Sequence, residues 1–411
     1  MKVLIIGCGQ QGTTIAKFLV KHSKVTEIRL AERVIARAEQ LADELKIPKV
    51  STHSCDAGKA EEMLELAKGV DIVVNAVIPL FNLQIMKAAF KAGANYVDMA
   101  SGPPYDNVKK QLAQSSKWKK AGLTALINMG ISPGVANILI ARAADKLDSV
   151  EEIHIRSASK IAPGTKFLDG KEVYIETWSP ETAWLDYVEP PVMYENGKWK
   201  KVPPFYGEEI YEFPPPCGPA NIACHAHEEV YTLPRFIKGV KKVDVKFGWM
   251  PTILIAKVFT ELGLFDEKPI EIKGAKVAPR DVLFKLLKPV PTEEELIKKI
   301  KADALIETVG AFVIEVKGEK AGVKTTYKYY PRPQPHMSLR EAYQKYGKSA
   351  LERNIVGDAC AICVDMLGKG KIKTKGVIPC EALSREEREA FLVEFAKAGY
   401  VYNEMVERSL A

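Results

Sequence analysis

Three glycines near the start of the chain are spaced to cradle a diphosphate. Gly7, Gly9 and Gly12 form a G-x-G-x-x-G turn, with Gln10 and Gln11 before the last glycine. The first glycine of such a turn permits a tight bend. The second removes a side chain so that a pyrophosphate can reach the backbone, and the third lets helix and strand pack closely. Glu32 stands about twenty residues further on, where a carboxylate accepts hydrogen bonds from an adenosine ribose and repels a 2′-phosphate. Arg33 follows it and has the opposite preference. The pattern predicts a nicotinamide dinucleotide, with NAD favoured by Glu32 and NADP left open by Arg33.

The elements that must position this turn are legible around it. Val3-Leu4-Ile5-Ile6 reads as a fully buried strand, Thr13 to Val20 as a helix and Val25 to Ala31 as a second strand. Strand and helix signals then alternate through Val50–Cys55, Val70–Val77, Asn95–Met99 and Leu123–Ile127. This is an α/β, doubly wound parallel sheet with ligands expected beyond the carboxyl ends of its strands. Asp56, Asn75, Ala76, Pro79 and Gly102 follow such ends and are further cofactor-binding candidates, Asp56 near the adenine, Asn75, Ala76 and Pro79 toward the nicotinamide, and Gly102 bringing backbone near the cofactor. Asp98, closing the fifth strand, is the first acid/base candidate, beside a structural reading as a cap of the next turn.

At Gly130-Ile131-Ser132-Pro133-Gly134 the pattern changes. Ser132 suits a helix N-cap and Pro133 the first helical position, with Asn137 stabilising the helix that follows. Beyond Glu151 the segments are β-rich, and Ala311–Glu319 with Gly322–Tyr330 reads as a hairpin. This predicts a second, α+β domain on an open, mostly antiparallel sheet, whose uncovered face suggests a homodimer. Pro190 to Pro216 reads as a long lid or connecting loop and Tyr329 to His336 as another loop. Ser349 to Leu367 and Ser384 to Met405 read as helices returning to the first domain. The expected division is 1–130 with 349–411, and 131–348 between them.

The bulk composition restricts the function classes. A net charge of +7 over 411 residues, with Lys and Glu mixed, describes a solvated surface rather than a nucleic-acid footprint. No apolar run reaches membrane-spanning length, and the chain enters a strand at once, so a soluble cytoplasmic protein is expected. Seven scattered cysteines do not resemble a disulfide framework. Cys360-Ala361-Ile362-Cys363 lies in a small-residue helix and reads as packing. Cys217, Cys224, His225 and His227 are zinc-binding types at an uncommon spacing, and no metal is expected there.

Gly7-x-Gly-x-x-Gly12, Val73-Val74-Asn75-Ala76, Tyr96-Val97-Asp98, Ser132-Pro133-Gly134-x-x-Asn137-Ile138-Leu139, Pro279-Arg280-Asp281-Val282-Leu283 and Lys375-Gly376-Val377-Ile378-Pro379 together resemble the saccharopine dehydrogenase family. Within it they are similar to the L-lysine 6-dehydrogenase branch, over nearly the whole length. The resemblance implies a Rossmann domain, a second domain with a dimerising sheet, and NAD(P)-linked oxidation of an amino acid at a carbon–nitrogen bond. It makes Ser132 and Gly134 substrate-binding candidates and His225 a catalytic one, His227 being a weaker version of the same idea. Arg235 is a candidate for a substrate carboxylate, with Glu181 and Tyr206 behind it. Two departures leave the substrate open. Ser132 stands where saccharopine reductases usually have Asp, and Cys380 intervenes between Pro379 and Glu381.

The expected reaction removes hydride from a carbon bearing an amine, on lysine, saccharopine or a related small molecule. Two other readings use the same fingerprint: a cyclodeaminase that recycles its NAD, and a non-enzymatic NAD(P) sensor.

Overall fold

The computed structural model describes residues 1–102, 105–162, 171, 172, 175, 179–332, 338–347 and 354–409. The first sheet is built from β1 (Lys2–Ile6), β2 (Glu27–Glu32), β3 (Val50–Ser54), β4 (Ile72–Asn75), β5 (Asn95–Asp98) and β6 (Thr124–Ile127). All pair in parallel in the order 3-2-1-4-5-6, the doubly wound arrangement. Both faces of such a sheet are covered, which is why Val3 to Ile6 and Ile72 to Val74 are apolar without alternation and 2% exposed or less.

The second sheet contains β7 (Ser149–Ile161), β8 (Val192–Glu195), β9 (Lys198–Lys201), β10 (Glu209–Glu212), β11 (Pro219–Cys224) and β12 (Lys242–Trp249). A small separate hairpin follows, β13 (Ile270–Ile272) with β14 (Ala275–Val277). The long hairpin β15 (Thr308–Lys320) and β16 (Val323–Arg332) then rejoins the second sheet. Among the described residues this sheet is antiparallel except where β12 runs parallel to β7, so the mostly antiparallel expectation holds. Ile153 and Ile155 on β7 meet Val243 and Val245 on β12 in one apolar core that continues to the first sheet. The opposite face buries His154, Arg156, Asp244 and Lys246. There Asp244 takes His154 Nδ1 at 2.9 Å and the Arg156 guanidinium, and these partners outweigh burial to hold its carboxyl very low.

The remaining elements divide between the sheets. The helix Ile355–Gly368, capped by Asn354 Oδ1 at Val356 N (3.1 Å), packs on the helix Gln10–His22, with Gly357 against Thr14. The strand β17 (Gly376–Pro379) extends the first sheet beside β6. The chain ends on β18 (Val401–Arg408), which pairs with β16 at the edge of the second sheet.

Several local expectations are corrected. Pro190 to Pro216 is not a loop but carries β8, β9 and β10. Tyr329 to Arg332 is strand, and residues 333–336 of that expected loop lie outside the described residues, as do 348–353 at the expected domain boundary. The last helix stops at Lys397, and Val401 onward is strand because β16 offers it a ladder. The helix after β6 begins at Val135, not at Ser132. Gly134, at φ 131°, makes the turn, and Asn137 Oδ1 accepts its N–H at 3.0 Å. Asn137 therefore does the capping expected of Ser132.

A cleft with an acid–base cluster

A cleft of about 2060 Å³ runs from the carboxyl ends of the first sheet to the second domain. Gly7, Gly9, Gln10, Gln11, Glu32, Arg33, Asp56, Asn75, Ala76, Pro79 and Gly102 all line it. A Cβ added at Gly9 would meet nothing within 4 Å, so the absence of a side chain leaves open cleft beside the first turn of Gln10–His22. That helix has no side-chain cap and no acidic residue in its first turn, leaving its N-terminal dipole for an anion. Gly12 is buried outside the cleft, where a Cβ would collide with the Gly7 carbonyl oxygen. The donor set fits a dinucleotide diphosphate.

Glu32 is fixed by two backbone donors, Cys8 N at 2.8 Å and Val34 N at 3.2 Å. Its carboxylate is thus held at the end of β2 beside the glycine turn, with the exposed Arg33 next to it. Asn75 is an organiser of this region: it links Asn82 (2.8 Å), Tyr96 (3.0 Å) and Val77 N (3.1 Å). Asp98 also lines the cleft but is 1% exposed, and its oxygens accept from Tyr96 (2.9 Å), Gln111 (2.7 Å) and Asn128 N (2.7 Å). Burial lifts its carboxyl to about 7 against these donors. These contacts tie β5 to Gln111 and to the residue after β6 rather than capping the next turn.

The substrate-domain candidates are placed differently from expectation. His225 is 2% exposed and does not line the cleft. Its Nδ1 bonds to the Asp186 carbonyl at 2.7 Å, and its ring packs against Tyr187, Phe247 and Trp249. Burial depresses its basicity, and the charge of His227 adds to this. Gly134 serves the turn before its helix and lies outside the cleft wall, because Gly130 backbone packs against its α-carbon. Arg235 is exposed, with its guanidinium over the Trp199 ring at 5.3 Å, and reaches no part of the cleft. Arg235→Ala is expected to leave kcat/KM within about twofold. Steady-state kinetics checks this, and a tenfold loss would restore the carboxylate role. Glu181 and Tyr206 are also exposed and away from the cleft. Ser132 does line it, and its hydroxyl donates to Glu229.

Among the described histidines beyond position 130, His227 lines the cleft, and it comes with partners that sequence reasoning passed over. His227 Nδ1 lies 2.6 Å from Glu229 Oε2 and 3.7 Å from Glu228 Oε2. Both carboxylates are buried, at 0% and 2% exposure. Tyr105 stacks on the His227 ring (centroids 6.4 Å apart) and donates its hydroxyl to Asp186. Burial opposes charge on His227, but Glu229, then Glu228 and Asp186, outweigh it and push the imidazolium up to about 9. Burial lifts Asp186 to about 7 against the pull of His227 and Tyr105. His227, Glu228 and Glu229 place ligand-type atoms within 4.8 Å of one another. Their mutual ion pairs, and the Ser132 and backbone donors on the carboxylates, make this an acid–base cluster. The thiols are elsewhere: Cys224 Sγ faces Met193 at 3.7 Å, and Cys217 sits in another apolar cluster. Cys360 and Cys363 are buried in the main core.

The signal available in the sequence was His225-Ala226-His227-Glu228-Glu229. Residues two apart beyond a strand give no rule for which histidine faces a ligand until the pairing of β11 with β12 is known.

The cluster has a consequence for stability. A histidine held above its ordinary value near 6.5 stabilises the fold fully below that value, and the contribution is lost as pH rises toward about 9. Asp186, raised to about 7, acts in the same sense between about pH 4 and 7, since the native state holds a proton that the unfolded chain releases. The melting temperature is therefore expected to fall between pH 6 and pH 9, less steeply in His227→Gln. Calorimetry at several pH values checks this, and an unchanged slope in the variant would contradict it.

Sequence comparison agrees with this architecture. A saccharopine dehydrogenase NADP binding domain matches residues 3–126, and a saccharopine dehydrogenase C-terminal domain matches residues 130–400. Carboxyaminopropylagmatine dehydrogenase of Synechocystis sp. is 26% identical, over 98% of each chain. Carboxynorspermidine synthase of Vibrio alginolyticus is 27% identical, over 71% of this chain and 73% of its own. Saccharopine dehydrogenase (L-Glu forming) of Saccharomyces cerevisiae shares the fold, with a TM-score of 0.70 over 99% of both chains at 15% identity. The chain belongs to the saccharopine dehydrogenase family and is a nicotinamide-dinucleotide-dependent oxidoreductase.

Proposed function

We propose that the enzyme makes or breaks the carbon–nitrogen bond of a carboxylated polyamine. The observation that carries this is the division of charge along the cleft. Its dinucleotide end holds Lys17, Lys21, Arg33 and Arg37, suited to phosphates. Its second-domain wall holds Asp186, Glu228 and Glu172, the last paired with Lys299, beside the His227 imidazolium, and among the described lining residues no Lys or Arg between positions 130 and 350. Such a wall favours a cationic amine over a dicarboxylate. Trp249, Phe247 and Tyr105 add aromatic surface that an ammonium group can face. Two relatives act, by their names, on carboxylated polyamines, which agrees with this reading.

In the reductive direction an amine and an aldehyde give an imine and water. One hydride on the imine carbon and one proton on nitrogen then give the secondary amine. The nicotinamide, when bound, supplies or accepts the hydride. His227 would carry the proton, giving it to the nitrogen as the imine is reduced and taking it back from the amine in the oxidative direction. Glu229 fixes the Nδ1 side, leaving Nε2 for the substrate.

NAD is the cofactor we infer, because a carboxylate such as Glu32, held at the end of β2, repels a 2′-phosphate. Glu32→Ala is expected to narrow the NAD:NADP preference by about tenfold or more, from loss of one charged contact. An unchanged ratio in calorimetric titrations would reverse the assignment. The proposal also includes a homodimer, since β18 is an edge strand with Val401, Met405 and Val406 more than 40% exposed. The cofactor unit would comprise 1–130 and 354–398, with β18 given to the other domain. The substrate class is tested by reduced-dinucleotide absorbance with carboxylated polyamines, lysine, ornithine and saccharopine. Turnover of carboxylated polyamines should exceed the others, and preference for saccharopine or lysine would overturn the proposal.

A further inference from the structure

Glu228 belongs to the second domain, yet its best hydrogen bonds are to the first. Oε1 accepts from Ser101 N at 2.6 Å and Gly102 N at 2.9 Å, in the loop beyond β5 that forms part of the cleft wall. Its other oxygen lies 3.7 Å from His227 Nδ1. One carboxylate therefore spans the junction, touching the cofactor-side loop with one oxygen and the proton-carrying ring with the other. The groups facing His227 are Glu228 and Glu229 on its own segment, Asp186 from the helix Pro180–Val188, and Tyr105 from the same loop as Gly102. His225, whose ring centroid is 5.9 Å away, completes the set.

We propose that Glu228 is a positioning residue that keeps the His227 imidazole in its proton-carrying form and ties that form to the seating of the Ser101–Gly102 loop. Glu229 alone could hold the proton, since it makes the closer contact. What Glu228 adds is dependence on the other domain: its charge stays beside His227 only while the two backbone N–H groups hold it there. Burial pushes the Glu228 carboxyl up, and the His227 charge and the two backbone donors work against that rise, where an isolated carboxylate would have no such support. The proton on His227 and the seating of the Ser101–Gly102 loop are thereby linked. The proposal rests on the reading of His227 as the proton carrier, and its test separates the two.

The test follows His227 by NMR in the full-length protein labelled at histidine, assigned by loss of its signal in His227→Gln. In Glu228→Gln the amide oxygen still accepts from Ser101 and Gly102 while the charge is gone. The His227 midpoint is expected to fall by about one pH unit, with NAD affinity within about threefold of the parent. Glu228→Ala should lower the midpoint similarly and also weaken NAD binding by about tenfold, as the loop donors lose their acceptor. Glu228→Asp, which retains the charge, should recover most of the midpoint. An unmoved midpoint in both Glu228→Gln and Glu228→Ala overturns the inference. If neither variant folds, the parent protein still decides, because a His227 midpoint at or below the ordinary imidazole value also overturns it. If the midpoint falls in Glu228→Gln but the pH–rate profile does not follow, Glu228 acts as stated and the assignment of His227 as proton carrier fails.

Discussion

Replacing His227 with glutamine lowers kcat by about 10²–10⁴-fold, the range for removal of a positioned general acid or base. Among the described histidines, His227 both lines the cleft and touches a buried carboxylate, with Nδ1 at 2.6 Å from Glu229. Glutamine preserves a polar side chain but neither carries nor releases a proton near neutrality. Because Glu228 and Glu229 are buried and then lose their counter-charge, some destabilisation accompanies the loss. The kinetic effect is separated from it by measuring dinucleotide binding and melting temperature on the same sample. The equivalent change at His225, behind the cleft wall, should act on stability rather than on the pH–rate profile. A His227→Gln enzyme with kcat within tenfold of the parent would remove the ring from the chemistry.

The second large effect is expected at Gly12. An added Cβ would fall inside contact distance of the Gly7 carbonyl oxygen, a backbone atom that cannot rotate away. Gly7 is itself confined, since a Cβ there would lie 2.7 Å from Ala76 O and its φ is 99°. Gly12→Ala must therefore lift the helix Gln10–His22 off β1 or reshape the turn. Overpacking of this kind costs about 1–3 kcal/mol, and any part borne by the turn displaces the N–H groups aimed at the diphosphate. Dinucleotide affinity is expected to fall by about 10–100-fold. Calorimetric titration with NAD and NADP checks this, and unchanged affinity for both would show that the turn is not the diphosphate cradle.

The first sheet was readable because buried parallel strands are apolar without interruption. Val3 to Ile6 and Ile72 to Val74 have no competing interpretation, and the glycine turn fixes the strand–helix junction. The strand-end residues that line the cleft followed from the same logic, since strand ends in this topology converge on one crevice. The second domain was harder for a physical reason. The segment from β8 to β10 places its prolines between short strands, so proline and aromatic content looked like loop while cross-strand pairing governed the backbone. β18 mixes Glu and Arg with scattered apolar residues and reads equally as helix, and its partner β16 decides the matter. Ser132 looked like a cap because its type and the following proline fit one, but the left-handed turn at Gly134 delays the helix and turns the serine hydroxyl to Glu229. Which of His225 and His227 lines the cleft could not be read without strand register. Overlooking Glu228 failed because its partners, Ser101 and Gly102, are 127 and 126 residues away.

The most direct test of carbon–nitrogen oxidoreduction in this cleft follows the hydride itself. The enzyme is supplied with a polyamine, a carboxylate-bearing aldehyde and reduced dinucleotide carrying two deuterons at the nicotinamide C4. Mass spectrometry should find a carboxylated polyamine with one deuterium on the carbon beside the new nitrogen. A product without deuterium, or consumption of the dinucleotide with no new carbon–nitrogen bond, would contradict it.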